Sequence, residues 1–153
     1  MTVAVRHARA DDAARIAELS GVLGYPVDSR VMAKRLAHLL ARDDNAIFVA
    51  GEGDRVVGWI HGAEHELLEI GRLCEILGLV VEPSARRSGA GRALMAAIEH
   101  WAGLRGVRQV SVRSNVVRLE SHPFYERLGF TRVKTQHSYR KDVEIRRSEH
   151  VEI

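Results

Sequence analysis

The sequence predicts a mixed α/β layer, a sheet flanked by helices. Apolar residues alternate with period two in some segments and recur at helical spacing in others, in the order β-α-α-β-β-β-α-β-α-β-β. An apolar run, "EILGLVV", feeds the glycine-bearing turn of "EPSARRSGAGRAL" and then a helical stripe. The 153 residues contain no repeat, linker or low-complexity tract, so one domain spanning 1–153 is expected. A chain of that length can bury a core without disulfides or metals.

Val3–His7 alternates weakly, as a short strand does. Asp11 or Asp12 can cap a first helix whose apolar positions Ile16, Leu19 and Leu23 share a face. "GYP" ends it, and Asp28 and Ser29 cap a second helix carrying Met32, Leu36, Leu39 and Leu40. "AIFVA" and "RVVGWIHG" flank the turn-rich tetrad "GEGD" and form a hairpin. "RLCEILGLVV" is apolar on both faces near its end, which predicts a central, doubly covered strand. A helix follows over about 89–104, with Leu94, Ala97, Ile98, Trp101 and Leu104 as its stripe and Gly106 at its end. "VRQVSVRS" reads as a strand, and "SHPFYERL" as a short helix with Pro123 in its first turn. "GFTRVKT" and "HSYRKDV" are expected to close the fold as a strand pair. Residues 144–153 form a charged tail expected to be mobile.

The formal charge is +3, and only three of the 23 basic residues are lysine. No basic block is interleaved with aromatics, so the composition carries no nucleic-acid inference. Cys74 is the only cysteine, which excludes an internal disulfide and fits a reducing compartment. The first residues lack a signal-peptide core and no apolar run approaches a membrane span, so a soluble cytoplasmic protein is expected.

The turn after "EILGLVV" gathers unsatisfied main-chain N–H groups at a helix start, where the backbone carries partial positive charge. A Walker A motif fails because Arg92 and Ala93 follow Gly91 in place of Lys and Ser or Thr. A dinucleotide fingerprint fails because Leu94 stands where a third glycine belongs and "VSVRSN" offers no acidic partner. A turn using glycine only for geometry stands beside these. The pattern that fits is R-x-x-G-x-G/A, at Arg86, Gly89 and Gly91, preceded by Val81-x-Pro83. With "SNVVRLESHPFYERLGF" further on, the sequence resembles the GNAT family of acyl-CoA-dependent N-acetyltransferases over nearly its whole length.

That resemblance implies a mostly antiparallel central sheet flanked by helices, with two central strands splayed at the acyl-CoA site. It implies acetyl-CoA as cosubstrate, no metal, direct transfer to a primary amine in a ternary complex, and a homodimer. The diphosphate would be held by Arg86, Arg87, Ser88, Gly89, Ala90, Gly91 and Arg92, mainly through main-chain N–H groups. Gly89 and Gly91 lack a Cβ, which lets a pyrophosphate approach. Each arginine side chain alone is equally a solvated surface residue. Leu79, Val80 and Val81 would offer backbone groups to the pantetheine arm and thioester, one N–H stabilising an oxyanion. Asn115 matches a cofactor-contacting position, or is a plain turn residue.

Tyr125 matches the tyrosine that many family members use as general acid toward the CoA sulfur; a core tyrosine beside Phe124 is the other reading. Glu75 matches the position of the glutamate base in the histone-acetyltransferase branch. Glu75, Leu77 and Leu79 are expected on one face of the strand, and a carboxylate there could take a proton through a water. Otherwise Glu75 is an exposed strand-start residue, and Glu64, Glu66 and Glu69 could share its work or bind a cationic substrate. "HGAEH" fits the H-x-x-E-H zinc pattern in letters, but it follows a strand and contains Gly62, so metal binding is not expected. Cys74 reads as a small buried residue, and His122 as a helix-start residue.

The acceptor classes compatible with this reading are aminoglycoside-like polyamines, other small amines and peptide amines. Specificity would come from the first two helices, "AEHELLEIGR" and the last strands. The rivals are a non-catalytic acyl-CoA-binding or regulatory module of the same fold, and an NAD-type module, which the missing glycine and acidic partner disfavour.

Overall fold

Residues 2–22, 24–113 and 121–147 are described by a computed structural model of the chain. Leu23 and Asn115, both singled out from the sequence, lie outside the described residues, as does the end of the charged tail. The chain divides into two units, Met1–Arg113 and Ser114–Ile153.

The first unit holds β1 (Val3–His7), α1 (Ala13–Val22), α2 (Ser29–Leu40), β2 (Asn45–Glu52), β3 (Arg55–Leu67), β4 (Gly71–Val81), α3 (Ala90–Leu104) and β5 (Val110–Val112). The strands lie in sequence order, β1-β2-β3-β4-β5. Every neighbouring pair is antiparallel except β4 and β5. The exception follows from α3, since a parallel neighbour needs a crossover connection. The expected mixed, mostly antiparallel sheet flanked by helices is therefore the fold.

Local chemistry explains the helix starts. Asp28 caps α2 by accepting from the N–H groups of Arg30 and Val31. Asp12 does not cap α1. It closes a 3-10 turn over Ala10–Asp12 by accepting from the Arg9 N–H at 2.7 Å. It also takes both arms of the Arg6 guanidinium, at 2.8 and 2.9 Å. Arg6 holds the Asp12 carboxyl below the usual carboxylate range.

The sheet is covered on both faces. On one, Ile47 and Val49 of β2 cluster with Ala13 and Ile16 of α1 and Leu36 of α2, with Met32, Leu39 and Trp59 packed against them. On the other lies α3. A Cβ on Gly58 would sit 3.3 Å from Leu94 Cδ1, and one on Gly62 would sit 2.8 Å from Ile98 Cδ1. The buried stripe of α3 is Ala90, Leu94, Met95, Ile98 and Ala102. Leu104, expected in that stripe, is exposed. β5 is likewise shorter than the expected "VRQVSVRS".

A bulge in β4 changes which way its side chains point. His61 pairs with Gly78, but Gly62 pairs with Ile76, so Leu77 is an extra residue. Partners directly opposite share a face. Glu75 pairs with Ala63 and Leu79 pairs with Ile60. Ala63 and Ile60 are three apart on β3, hence on opposite faces. Glu75 and Leu79 therefore face opposite ways, which corrects the expectation of one shared face. Nor is β4 covered on both sides throughout, since Leu77 is 50% exposed.

Gly78, beside the bulge, lies under Trp59. A Cβ there would meet Trp59 Cη2 at 2.6 Å and Cζ3 at 2.7 Å. Gly78→Ala should therefore destabilise the fold by about 1–3 kcal/mol, the usual cost of overpacking. The check is the urea midpoint, and a midpoint equal to wild type would show that the indole moves aside freely.

The second unit contains α4 (Ser121–Arg127), with Pro123 in its first turn as expected. The expected closing strand pair is absent among the described residues. Residues 131–147 carry no strand and are exposed. Val133, Tyr139, Val143 and Ile145 among them are all exposed, and apolar residues without a covered face do not stabilise a strand.

Candidate active site

The end of β4 builds the turn. Glu82 donates its N–H to Val57 O at 2.8 Å, continuing the alignment with β3. Its carboxylate accepts from Arg15 of α1 at 3.2 Å and also from Arg55 of β3. Pro83–Ala85 forms a 3-10 turn, with the Arg86 N–H bonded to Pro83 O and the Ser88 N–H to Ala85 O. Arg87 then takes a positive φ of 73°, and Gly89, the N-cap of α3, one of 89°. Glycine suits the second position because a left-handed φ strains any residue with a Cβ.

The Ala90 N–H reaches Ser88 Oγ at 3.3 Å and the Ala93 N–H reaches Gly89 O at 2.9 Å. Among the described residues, the N–H groups of Arg87, Gly89, Gly91 and Arg92 have no acceptor. A Cβ built on Gly89 would meet nothing within 4 Å. Open space thus lies beside several unpaired donors at the positive end of a 15-residue helix. Arg86, Arg87 and Arg92 are exposed around it.

β4 also has an open edge. Only Cys74, Glu75 and Ile76 pair with β5, at Val110, Ser111 and Val112. Residues 78–81 pair with β3 on one side, and among the described residues no strand lies on the other. The backbone of Leu79, Val80 and Val81 sits in that stretch, leading directly to the amide-rich turn.

Glu75 lies just before the open edge, with its side chain 16% exposed. His65 Nε2 is 3.3 Å from Oε1, and Arg113 Nε is 3.2 Å from Oε2. It is thus not a lone carboxylate on an apolar strand. Neither His65 nor Arg113 was legible as its partner, because both contacts cross strands and no local spacing announces them. Glu64 is on the opposite face of β3 from His65. It accepts from Arg72 at 3.0 Å and Arg105 at 2.8 Å, which keep its carboxyl below the usual range. Glu66 and Glu69 are exposed near the β3–β4 turn.

"HGAEH" lies within β3. Residues four apart on a strand are about 13 Å apart, so His61 and His65 cannot share one metal ion. His61 Nε2 instead lies 2.7 Å from Asn45 Oδ1, and burial lowers its pKa. Among the described residues no three His, Cys, Asp or Glu converge as metal ligands. Cys74 is fully buried, and desolvation, aided by the Glu64 charge, pushes its thiol up to about 11.

In the second unit, Tyr125 lies on α4 with its ring edge-on to Phe124 at 5.3 Å and to Phe130 at 5.9 Å.

An open-edged strand feeding an amide-rich turn at the start of a long helix is an arrangement whose main-chain donors can take an anion such as a phosphate. The acetyltransferase (GNAT) family model matches residues 5–130, and the chain belongs to that family. It is an N-acetyltransferase whose cosubstrate is acetyl-CoA. An aminoglycoside N(6')-acetyltransferase type 1 from Stenotrophomonas maltophilia is 29% identical over 136 residues, 82% of this chain and 84% of that protein. The structure of AAC(6')-Iy in complex with the bisubstrate analogue CoA-S-monomethyl-acetylneamine superposes with a TM-score of 0.83 at 20% identity, covering 94% of this chain and all of that one. The same fold occurs in a transcriptional regulator from Bacillus halodurans C-125, with a TM-score of 0.82, 21% identity, and 92% of this chain and all of that one covered.

Proposed function

We propose that this chain transfers the acetyl group of acetyl-CoA directly to a primary amine of a small aminoglycoside-like polyamine, in a ternary complex. The observation that carries the donor half is the set of unpaired N–H groups at Arg87, Gly89, Gly91 and Arg92, which suits the CoA diphosphate. Arg86, Ser88 and Ala90, whose N–H groups are bonded within the turn, shape and border that cradle, with Asn115 as a further cofactor contact. Leu79, Val80 and Val81 present backbone to the pantetheine arm along the open edge of β4. Glu75 serves the amine side, and Tyr125 donates a proton to the departing thiolate. An alkyl ammonium with a pKa near ~10 must lose a proton before it attacks, whereas a phenol is protonated at neutral pH.

The relative from Stenotrophomonas maltophilia supports the acceptor class. Exposed Glu66 and Glu69 also favour a polycation over a neutral amine. Residues 1–153 act as one catalytic domain in this reading, supported by a family match that runs through the boundary between the two units. The proposed assembly is a homodimer and the proposed compartment the cytoplasm. No helix among the described residues is long and apolar enough to cross a membrane.

A panel containing an aminoglycoside with a 6'-amine, an alkyl diamine and a peptide amine, assayed for acetyl-CoA-dependent thiol release, tests this reading. The aminoglycoside should be the fastest acceptor. Tight acetyl-CoA binding with no release above hydrolysis for any amine would favour the alternative, a non-catalytic acyl-CoA-binding module.

A further inference from the structure

We infer that His65 is the catalytic base for the amine, with Glu75 acting through it as a positioning residue; this rests on the acetyl-transfer reading above. His65 Nε2 lies 3.3 Å from Glu75 Oε1, and Arg113 Nε holds the other carboxylate oxygen at 3.2 Å. Glu75 thus lies between a cation and an imidazole, one on each carboxylate oxygen. A carboxylate beside Nε2 favours the tautomer that carries its proton there and leaves the lone pair on Nδ1. Among the described residues Nδ1 has no partner, and the His65 side chain is 42% exposed, so an amine can reach it. A carboxylate that orients an imidazole and stabilises the imidazolium formed on proton uptake is the logic of a catalytic dyad.

The neighbouring groups leave His65 without a rival. Glu64 points to the opposite face and is taken by Arg72 and Arg105. His61, on the same face as His65, is bonded to Asn45. On β4 the group against the imidazole is Glu75; the uncharged Ser111 of β5 is in register with Glu75, and Arg113, just past β5, lies against its other carboxylate oxygen.

The ammonium gives one proton to His65 Nδ1, and the neutral amine attacks the thioester carbonyl carbon. The C–N bond forms and the C–S bond breaks, yielding the amide. The second proton lost by nitrogen is matched by the one gained by the CoA sulfur, and the imidazolium returns its proton to solvent through its exposed edge.

The experiment compares wild type with His65→Gln, Glu75→Gln, the double variant and His65→Ala. It uses the 6'-amino aminoglycoside over a range of pH, with acetyl-CoA affinity measured on each to report folding. His65→Gln should lower kcat/KM for the amine by roughly 10²-fold at low pH, the lower range for a lost acid–base group. The loss should shrink as pH rises and free amine becomes abundant, with acetyl-CoA affinity unchanged. The double variant should lose no more than the worse single one, as for residues acting as a unit, and added imidazole should partly restore His65→Ala. A His65→Gln profile that overlays wild type, losses that multiply in the double variant, or a slow His65→Ala enzyme that imidazole does not rescue would each overturn the role. If wild type acetylates no amine in the panel, the functional reading itself falls, and this role with it.

Discussion

Gly89→Glu should weaken acetyl-CoA binding by at least about 100-fold. Gly89 sits at a φ of 89°, where a residue with a Cβ is strained by about 1–2 kcal/mol. Its position faces open space beside the unpaired N–H groups of Arg87, Gly91 and Arg92. A carboxylate there would face the diphosphate, and like charges at about 4–6 Å near a protein surface repel by roughly 3–4 kcal/mol. The repulsion alone exceeds the ~2.8 kcal/mol that corresponds to 100-fold. Gly89→Ala separates the two effects, since it adds the strain, which falls on folding stability, without the charge that falls on affinity. Calorimetry with acetyl-CoA measures the affinity of both variants. Unchanged affinity in a folded Gly89→Glu protein would remove the diphosphate from this turn.

The second large effect is expected at Tyr125. Tyr125→Phe deletes one hydroxyl and keeps the ring, so the edge-on contacts with Phe124 and Phe130 should persist. If the phenol protonates the leaving thiolate, kcat should fall by ~10²-fold or more while acetyl-CoA affinity changes by less than about twofold. That split distinguishes chemistry from packing, because a packing defect lowers binding and stability together. Wild-type kcat in the variant would leave catalysis to proximity and the backbone contact to the oxyanion.

The parts of this molecule legible in the sequence are those whose physics is local. The strand, the glycine turn and the helix start at 79–92 are one continuous stretch, so spacing alone located the amide-rich turn. Asp28 at its cap and the β2–β3 hairpin are local in the same way. What escaped depends on distant residues. The bulge at Leu77 exists only in the register between β3 and β4, and it reversed the side-chain alternation that "EILGLVV" suggested. Glu75 was legible by its distance from the strand end, but its partners His65 and Arg113 come from elements 10 and 38 positions away. The clamp of Arg15 and Arg55 on Glu82 likewise spans three elements. The strand pair expected at "GFTRVKT" and "HSYRKDV" is absent among the described residues, where Val133, Tyr139 and Val143 have no covered face to hold a strand.

The burial of Cys74 bears on how this enzyme can be measured. A thiol with a pKa of about 11 is only ~10⁻³ thiolate at pH 8, against about one quarter for an ordinary cysteine. It is also sealed from reagent within the sheet. Disulfide dyes that count released CoA will therefore see almost none of the protein's own sulfur while the fold is intact. In the same cuvette, a slow stoichiometric signal in the absence of amine would report molecules that have opened, so one absorbance trace carries both turnover and conformational integrity.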